Sequence, residues 1–265
     1  MNDAQRTANY LIERQMARES LNIMLHDFAP NDMADAYAIQ EEYLRIRSGT
    51  KGAMGGYKVG LTNPLMQQSV GVDEPCAGGV FAQDVVESPA TLNSPDYANL
   101  AVECEIAFTM GRDLPISEAP FNHENVAAAV ESIATSFEVV DLPEGEIREG
   151  QSRAHMLVAT NVAQAGAVLG VQVSDWRDID LKSARGIARL NGEVVGESVG
   201  SDIMGHPMEP LIWLANLLAQ RGDELSKAEV VLTGSLTTPI NLAAGDSVSF
   251  EIEGVGDVSV NVNVT

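Results

Sequence analysis

Two cysteines, four lysines and four histidines are all that this chain of 265 residues provides. Cys76 and Cys104 are too few for a disulfide framework or a four-thiolate zinc site, and a reducing cytoplasm is the expected compartment. The histidines (His26, His123, His155 and His206) lack the spacing of zinc ligands. No G-x-S-x-G elbow, Walker A loop or Rossmann glycine fingerprint occurs, which removes three common catalytic and nucleotide-binding signatures. No apolar run approaches the roughly 18 residues of a membrane helix, so a helical spanning protein is excluded. Residues 1–18 are dotted with charge and carry no apolar signal-peptide stretch.

Negative charge, by contrast, is abundant: 38 acidic residues face 16 basic ones, for a net charge of -22. Such a surface repels nucleic acid and anionic membranes, because phosphate binding needs clustered Lys and Arg. Most of these carboxylates read as solvated surface, so functional ones must be picked out by position.

A 45% hydrophobic content supports a real core, in one large domain or a main domain with a small appendage. The spacing of Leu11, Met16, Leu21, Ile23, Met24 and Leu25 predicts a helix over residues 4–27. A second helix, capped by Asn31 or Asp32, is expected to run to about Arg47 and stop at Ser48-Gly49. Residues 1–54 are thus expected to form an N-terminal helical region, and residues 55–265 a β-rich domain. Within the latter, strands are predicted at 57–61, 80–86, 100–110, 136–140, 166–173, 230–233, 247–253 and 258–264. Residues 185–198 predict a hairpin about Asn191-Gly192, a pair suited to a type I′ turn. Helices are predicted over 124–135 and from Pro207 to Arg221-Gly222. Residues 60–99 are expected to carry loops over a site. The interleaving is too irregular for a βαβ repeat, giving an α+β fold on a rolled β core.

The most informative stretch is Ala101-Val102-Glu103-Cys104-Glu105-Ile106-Ala107-Phe108. As a strand, it turns Val102, Cys104, Ile106 and Phe108 to one face and Ala101, Glu103, Glu105 and Ala107 to the other. Side chains two apart on a strand share a face, with Cα atoms about 6.5 Å apart. The two carboxylates can therefore lean toward one hard cation, Mg²⁺ or Mn²⁺ before zinc. A strand with one wet face accounts for the same pattern. Glu138 lies among apolar neighbours in Ser136-Phe137-Glu138-Val139-Val140, where a carboxylate needs a partner or a metal unless it reaches solvent at the strand end. Lys58 sits in a glycine-rich apolar strand, either to hold a substrate carboxylate or donate a proton, or snorkelling outward. Gly234-Ser235-Leu236-Thr237-Thr238-Pro239 offers hydroxyls and amides to an anionic group, or is an ordinary turn.

Taken in order, these stretches resemble the 2-oxopent-4-enoate hydratase and 4-oxalocrotonate decarboxylase group of the fumarylacetoacetate hydrolase superfamily. The resemblance rests on Asp35-Ala36-Tyr37 with Gln40, Tyr57-Lys58-Val59-Gly60-Leu61-Thr62, and Gln67-Gln68 with Gly71-Val72-Asp73-Glu74-Pro75. It continues through Val102 to Phe108, Phe137 to Asp141, Gly205-His206-Pro207 with Trp213-Leu214-Ala215-Asn216, and Gly245-Asp246 with the hairpin at 254–257. It implies a fumarylacetoacetate-hydrolase-like fold and a Mg²⁺ or Mn²⁺ ion held by Glu103, Glu105 and Glu138. Lys58 would be catalytic, with Leu61, Thr62, Asn161, Ser235 and Thr237 around a small 2-oxo acid. The implied reaction is hydration of a 2-hydroxy-2,4-dienoate, or decarboxylation, tautomerisation or C–C hydrolysis through the same enolate, by a homo-oligomeric enzyme; a non-catalytic family member is the remaining alternative. The chain departs from the group's pattern at Cys76 (usually Asp), Thr160 before Asn161 (usually Asp), Leu142-Pro143 (usually Ser-Arg or Ala-Arg) and Thr238 (often Arg).

Overall fold

The computed structural model describes residues 3–142, 144–147 and 151–263. Two helices come first, α1 (Asp3–Ala17) and α2 (Met33–Lys51). Then follow β1 (Met54–Gly60), α3 (Pro64–Val70), β2 (Cys76–Phe81), β3 (Val85–Glu87), β4 (Ala90–Asn93) and β5 (Leu100–Met110). The centre of the chain holds α4 (His123–Ala129), β6 (Val130–Asp141), α5 (Arg153–Ala159), β7 (Gln164–Leu169), β8 (Arg185–Leu190) and β9 (Glu193–Val199). It closes with α6 (Glu209–Gln220), β10 (Val230–Leu232), β11 (Ile240–Asn241), β12 (Ser247–Ile252) and β13 (Gly256–Asn263).

The strands form two mixed sheets. The larger runs β2-β1-β10-β5-β6-β7-β3, with β11 paired to β5, and the smaller runs β4-β13-β12-β8-β9. Alternation along β5 and β6 decides how they meet. Val102, Cys104, Ile106 and Phe108, with Phe137 and Val139, bury one face against Val248, Phe250 and Val258 of the smaller sheet. The rings of Phe137 and Phe250 lie 6.4 Å apart. Fully burying each such ring contributes about 1.5–3 kcal/mol, so this apolar sandwich fixes which face of β5 turns the other way. On that other face the sheet curls on itself. Val80 of β2, Ala107 of β5, Ala167 and Leu169 of β7, and Leu232 of β10 meet in one cluster inside the roll. The expected α+β fold with a rolled β core is the fold observed.

The N-terminal helices close one side. Ala8, Leu11, Ile23, Met24, Ala36 and Ile39 share a cluster with Cys76, Met156 and Val162 of the β-rich part. Asp32 caps α2 by accepting from the Asp35 amide, and Gly52, at φ 75°, ends it.

Several elements differ from the sequence expectation. The helix expected over 4–27 ends at Ala17, because Arg18 and Asn22 take left-handed φ values of 55° and 38°. Ile23 and Met24 are buried through a short 3₁₀ turn instead, and Met16 is exposed. The second helix runs through Ser48-Gly49 to Lys51. The helix expected over 124–135 stops at Ala129, and Val130 onward pairs with β5 from Met110 to Leu100. There, ladder pairing beside buried β5 outweighs local helix preference. Residues 60–99 hold one α-helix, two short 3₁₀ turns and three complete strands as well as loops. The Asn191-Gly192 hairpin is as expected, with both residues at positive φ (52° and 86°). The last strand is described to Asn263; its expected end at Val264 lies outside the described residues.

Gly56 is where β1 must lie flat on β10. Its φ is 147°, and a Cβ there would fall 1.9 Å from the Val230 carbonyl oxygen. Gly192, at φ 86°, has open space around it. Gly56→Ala should therefore destabilise by about 3 kcal/mol or more, and Gly192→Ala by only about 1 kcal/mol. Thermal melts of the two variants check this; equal losses would contradict the tight β1–β10 contact.

Candidate active site

Pairing across β5 and β6 builds the site. Glu103 lies directly opposite Glu138, and Glu105 opposite Ser136. All four side chains turn into the roll, away from the apolar sandwich. Glu103, Glu105 and Glu138 each offer a carboxylate oxygen within 4.8 Å of the others. Glu105 and Glu138 are fully buried, whereas Glu103 is half-buried and leaves the cluster one side toward solvent. From β1, Lys58 reaches across the interior: its Nζ lies 3.0 Å from Glu138 Oε2 in a buried ion pair. The same ammonium donates to the Val162 carbonyl at 3.3 Å. Gly234, after β10, donates its amide to Glu105 Oε2 at 2.7 Å.

When all three carboxyl groups are ionised they outnumber the one ammonium, and protonation relieves that excess where no cation does. Burial, reinforced by the other carboxylates, raises Glu105 well above the ordinary carboxylate range. Burial likewise pushes Glu138 from its ordinary 4.5 up to about 8, against the pull of Lys58. Burial alone would lower Lys58, but Glu138, Glu103 and Glu105 together hold it above its usual value, so it stays an ammonium. Among the described residues no donor satisfies Glu105 Oε1 or Glu138 Oε1. Hard oxygen donors, surplus negative charge and buried oxygens without donors fit a divalent cation of the Mg²⁺, Mn²⁺ or Ca²⁺ kind.

The profile of the fumarylacetoacetate (FAA) hydrolase C-terminal family matches residues 75–263. The chain belongs to the fumarylacetoacetate hydrolase family. It is 34% identical over 231 residues to a 2-hydroxyhexa-2,4-dienoate hydratase from Comamonas testosteroni, covering 85% of this chain and 84% of that one. It is 26% identical over 252 residues to a 4-oxalocrotonate decarboxylase from Pseudomonas putida, covering 95% and 94%. The fold matches 4-oxalocrotonate decarboxylase from Pseudomonas putida G7, complexed with magnesium and adipate, with a TM-score of 0.87 and 25% identity. That match covers 98% of this chain and 97% of the other.

On this fumarylacetoacetate hydrolase scaffold the sequence candidates fall into different places. Lys58, Glu103, Glu105 and Glu138 come together; strand spacing joins only Glu103 with Glu105, and the family resemblance implies the other two. Thr62 packs on Gly234, whose amide holds Glu105: a Cβ on Gly234 would meet Thr62 Oγ1 at 2.4 Å. Leu61, at φ 57°, turns the chain out of β1 and accepts from Gln67 through its carbonyl. Ser235 follows Gly234 and donates its hydroxyl to the Thr237 carbonyl. Thr237 is not brought to the carboxylates. Its side chain lies over Gly196 of the smaller sheet, beside Cys104 on the opposite face of β5. Asn161 has its carboxamide bonded to the Gly79 backbone, accepting at 2.7 Å and donating at 2.8 Å.

The positions that depart from the group's pattern are also placed. Cys76 is buried on the Lys58 face, and burial pushes its thiol up to about 12, which keeps it neutral. Thr160 donates to the carbonyls of Met156 and Leu157 at the end of α5. Thr238 is exposed, Leu142 is half-buried, and Pro143 lies outside the described residues. Sequence reasoning missed Ser136, the Gly234 amide as a carboxylate clamp, and the Val162 carbonyl as an acceptor for Lys58. Only Ser136, two residues before Glu138, carried a residue-type signal.

The raised carboxyl pKa has a signed consequence. Between its ordinary 4.5 and about 8, Glu138 holds a proton in the folded state that the unfolded chain releases. The stability this contributes is complete below the lower value and lost as pH rises through the upper one. In chelator, the melting temperature should fall from pH 5 to pH 8. Glu138→Gln should flatten that fall, and Mg²⁺ should offset it in the wild type. A wild-type profile no steeper than the Glu138→Gln profile would remove the shift.

Proposed function

We propose that the protein is a Mg²⁺- or Mn²⁺-dependent hydro-lyase that adds water to a 2-hydroxy-2,4-dienoate, giving a 4-hydroxy-2-oxo acid. The observation that carries this reading is the convergence of Glu103, Glu105, Glu138 and Lys58 inside one rolled sheet. Hydration is favoured over decarboxylation because the hydratase relative is the more similar in sequence, at 34% against 26% identity. The fold similarity to a magnesium-bound decarboxylase keeps loss of CO₂ as the second reading.

Glu103, Glu105 and Glu138 would hold the cation. A bound divalent cation supplies the double positive charge that stabilises negative charge on the oxygens of a chelating 2-oxo acid. Lys58, kept protonated by its carboxylate neighbours, acts as a donor to a substrate oxygen rather than as a base. Its low-dielectric setting strengthens that interaction. The dienol loses its O2 proton and gains one at C5, giving an α,β-unsaturated ketone. Water then adds across C3 and C4, hydroxyl to C4 and proton to C3. The roll excludes bulk water from the buried side, while Glu103 marks the side from which substrate enters. Thr62 and Ser235 beside Gly234 are the side chains proposed to meet the substrate on the Glu105 side, with Leu61 at the exit from β1. The same reading makes residues 55–265 the catalytic domain and 1–54 its helical cover, in a cytoplasmic homo-oligomer.

Purified protein with Mg²⁺ should deplete the ultraviolet absorbance of a 2-hydroxydienoate and yield a product heavier by one water. With a dienoate that carries a second carboxyl group conjugated to its 2-oxo form, a product lighter by CO₂ would favour the decarboxylase reading, and no turnover across several acids of both kinds would count against both. In calorimetry, Glu103→Ala should weaken Mg²⁺ binding by at least about tenfold, roughly 1.4 kcal/mol; unchanged affinity would remove Glu103 from the site. Lys58→Met should lower kcat by about 10² to 10⁴ while tightening Mg²⁺ binding, because it deletes a competing positive charge.

A further inference from the structure

The larger sheet nearly closes into a barrel, and Asn161 sits at the seam. Residues Asn161, Val162 and Ala163 link α5 to β7, and all three are left-handed, with φ of 58°, 54° and 60°. None is glycine, and a β-branched valine at positive φ is a conformational outlier that its surroundings must enforce. Two contacts enforce it. The Asn161 carboxamide accepts from the Gly79 amide and donates to the Gly79 carbonyl, as the backbone of a neighbouring strand would do on the free edge of β2. Gly78 lets the turn approach: a Cβ there would fall 2.9 Å from the Asn161 carbonyl oxygen and 3.3 Å from Lys58 Cγ. Asn161 itself is only 1% exposed.

The next residue touches the site. The Val162 carbonyl accepts the hydrogen bond from Lys58 Nζ, and Val162 Cγ1 would lie 2.9 Å from a Cβ placed on Gly60, two residues beyond Lys58. We propose that Asn161 is a positioning residue for the lyase reaction: its carboxamide clamps the left-handed turn to β2 and so aims the Val162 carbonyl at the Lys58 ammonium. An ammonium has three donors. One goes to Val162 and one side of the group faces Glu138, so the turn fixes which direction remains for substrate. This assignment rests on the function proposed above and differs from a direct substrate contact by Asn161, whose amide group is engaged with Gly79.

Three measurements on the magnesium-loaded protein, with Asn161→Ala and Asn161→Gly, test it. Both variants lose the clamp, but glycine tolerates positive φ and keeps the turn accessible. We expect kcat to fall about 10- to 100-fold in Asn161→Ala and less in Asn161→Gly, with KM for the dienoate and Kd for Mg²⁺ changed by less than about threefold. Crystal structures should show the Val162 carbonyl beyond hydrogen-bonding distance of Lys58 Nζ in Asn161→Ala. If that variant does not fold, Asn161→Gly decides by the same readouts. Wild-type kcat in a folded variant, or a loss confined to KM, would overturn the proposal, the latter by making Asn161 a substrate contact. If the wild type turned over no dienoate at all, the lyase reading would fail, while a displaced Val162 carbonyl would still uphold the positioning of Lys58.

Discussion

The structure depends on keeping three carboxylates and one ammonium together inside a β-sheet. Such a cluster opposes folding, because each charge loses water and the like charges repel. The protein offsets this by placing the charges on a face whose reverse side is an apolar sandwich. Val102, Cys104, Ile106 and Phe108 cannot turn outward without exposing the main core, so Glu103 and Glu105 cannot turn away from the interior. A one-residue slip in the β5–β6 register would exchange the two faces altogether. The hydrophobic ladder therefore serves as the alignment device for the polar one.

That coupling explains what was legible in the sequence. Period-two alternation from Ala101 to Phe108 told both faces apart and put Glu103 and Glu105 together. An acidic residue among apolar neighbours singled out Glu138. A scarce lysine between glycines singled out Lys58. Each signal is a residue type that is costly where it sits, and cost is visible without coordinates. The contacts made by backbone groups were not visible, since every residue has a carbonyl and an amide. Neither Val162 nor Gly234 announces which of its backbone atoms faces a charge. Thr237 misled for a related reason: a hydroxyl-rich loop reads as polar, yet its next turn crosses to the other side of β5.

The fold was legible to a similar depth. The strand with the strongest alternation, β5, was found with both its ends. Segments decided by long-range pairing were not: residues 130–135 follow a helix without a break and become strand only because β5 lies beside them. The left-handed residues at 161–163 belong to the same class. Each costs on the order of 1–2 kcal/mol in isolation, and only contacts distant in sequence, from Gly79 and Lys58, make them tenable. Local propensity argues against that turn, and the tertiary fold overrides it.

A final tension concerns charge. A chain of net charge -22 would repel an anionic substrate if its surface field extended unscreened to the site. Screening shortens that reach to about 8 Å at physiological ionic strength, and the cluster is enclosed by the roll, so the local balance outweighs the global one. Among the described residues, the charges that act most strongly on Glu105 and Glu138 are Lys58 and the other carboxylates. Under the proposed function, the positive charge among the described residues that meets a substrate carboxylate is that of Lys58, joined by a bound cation.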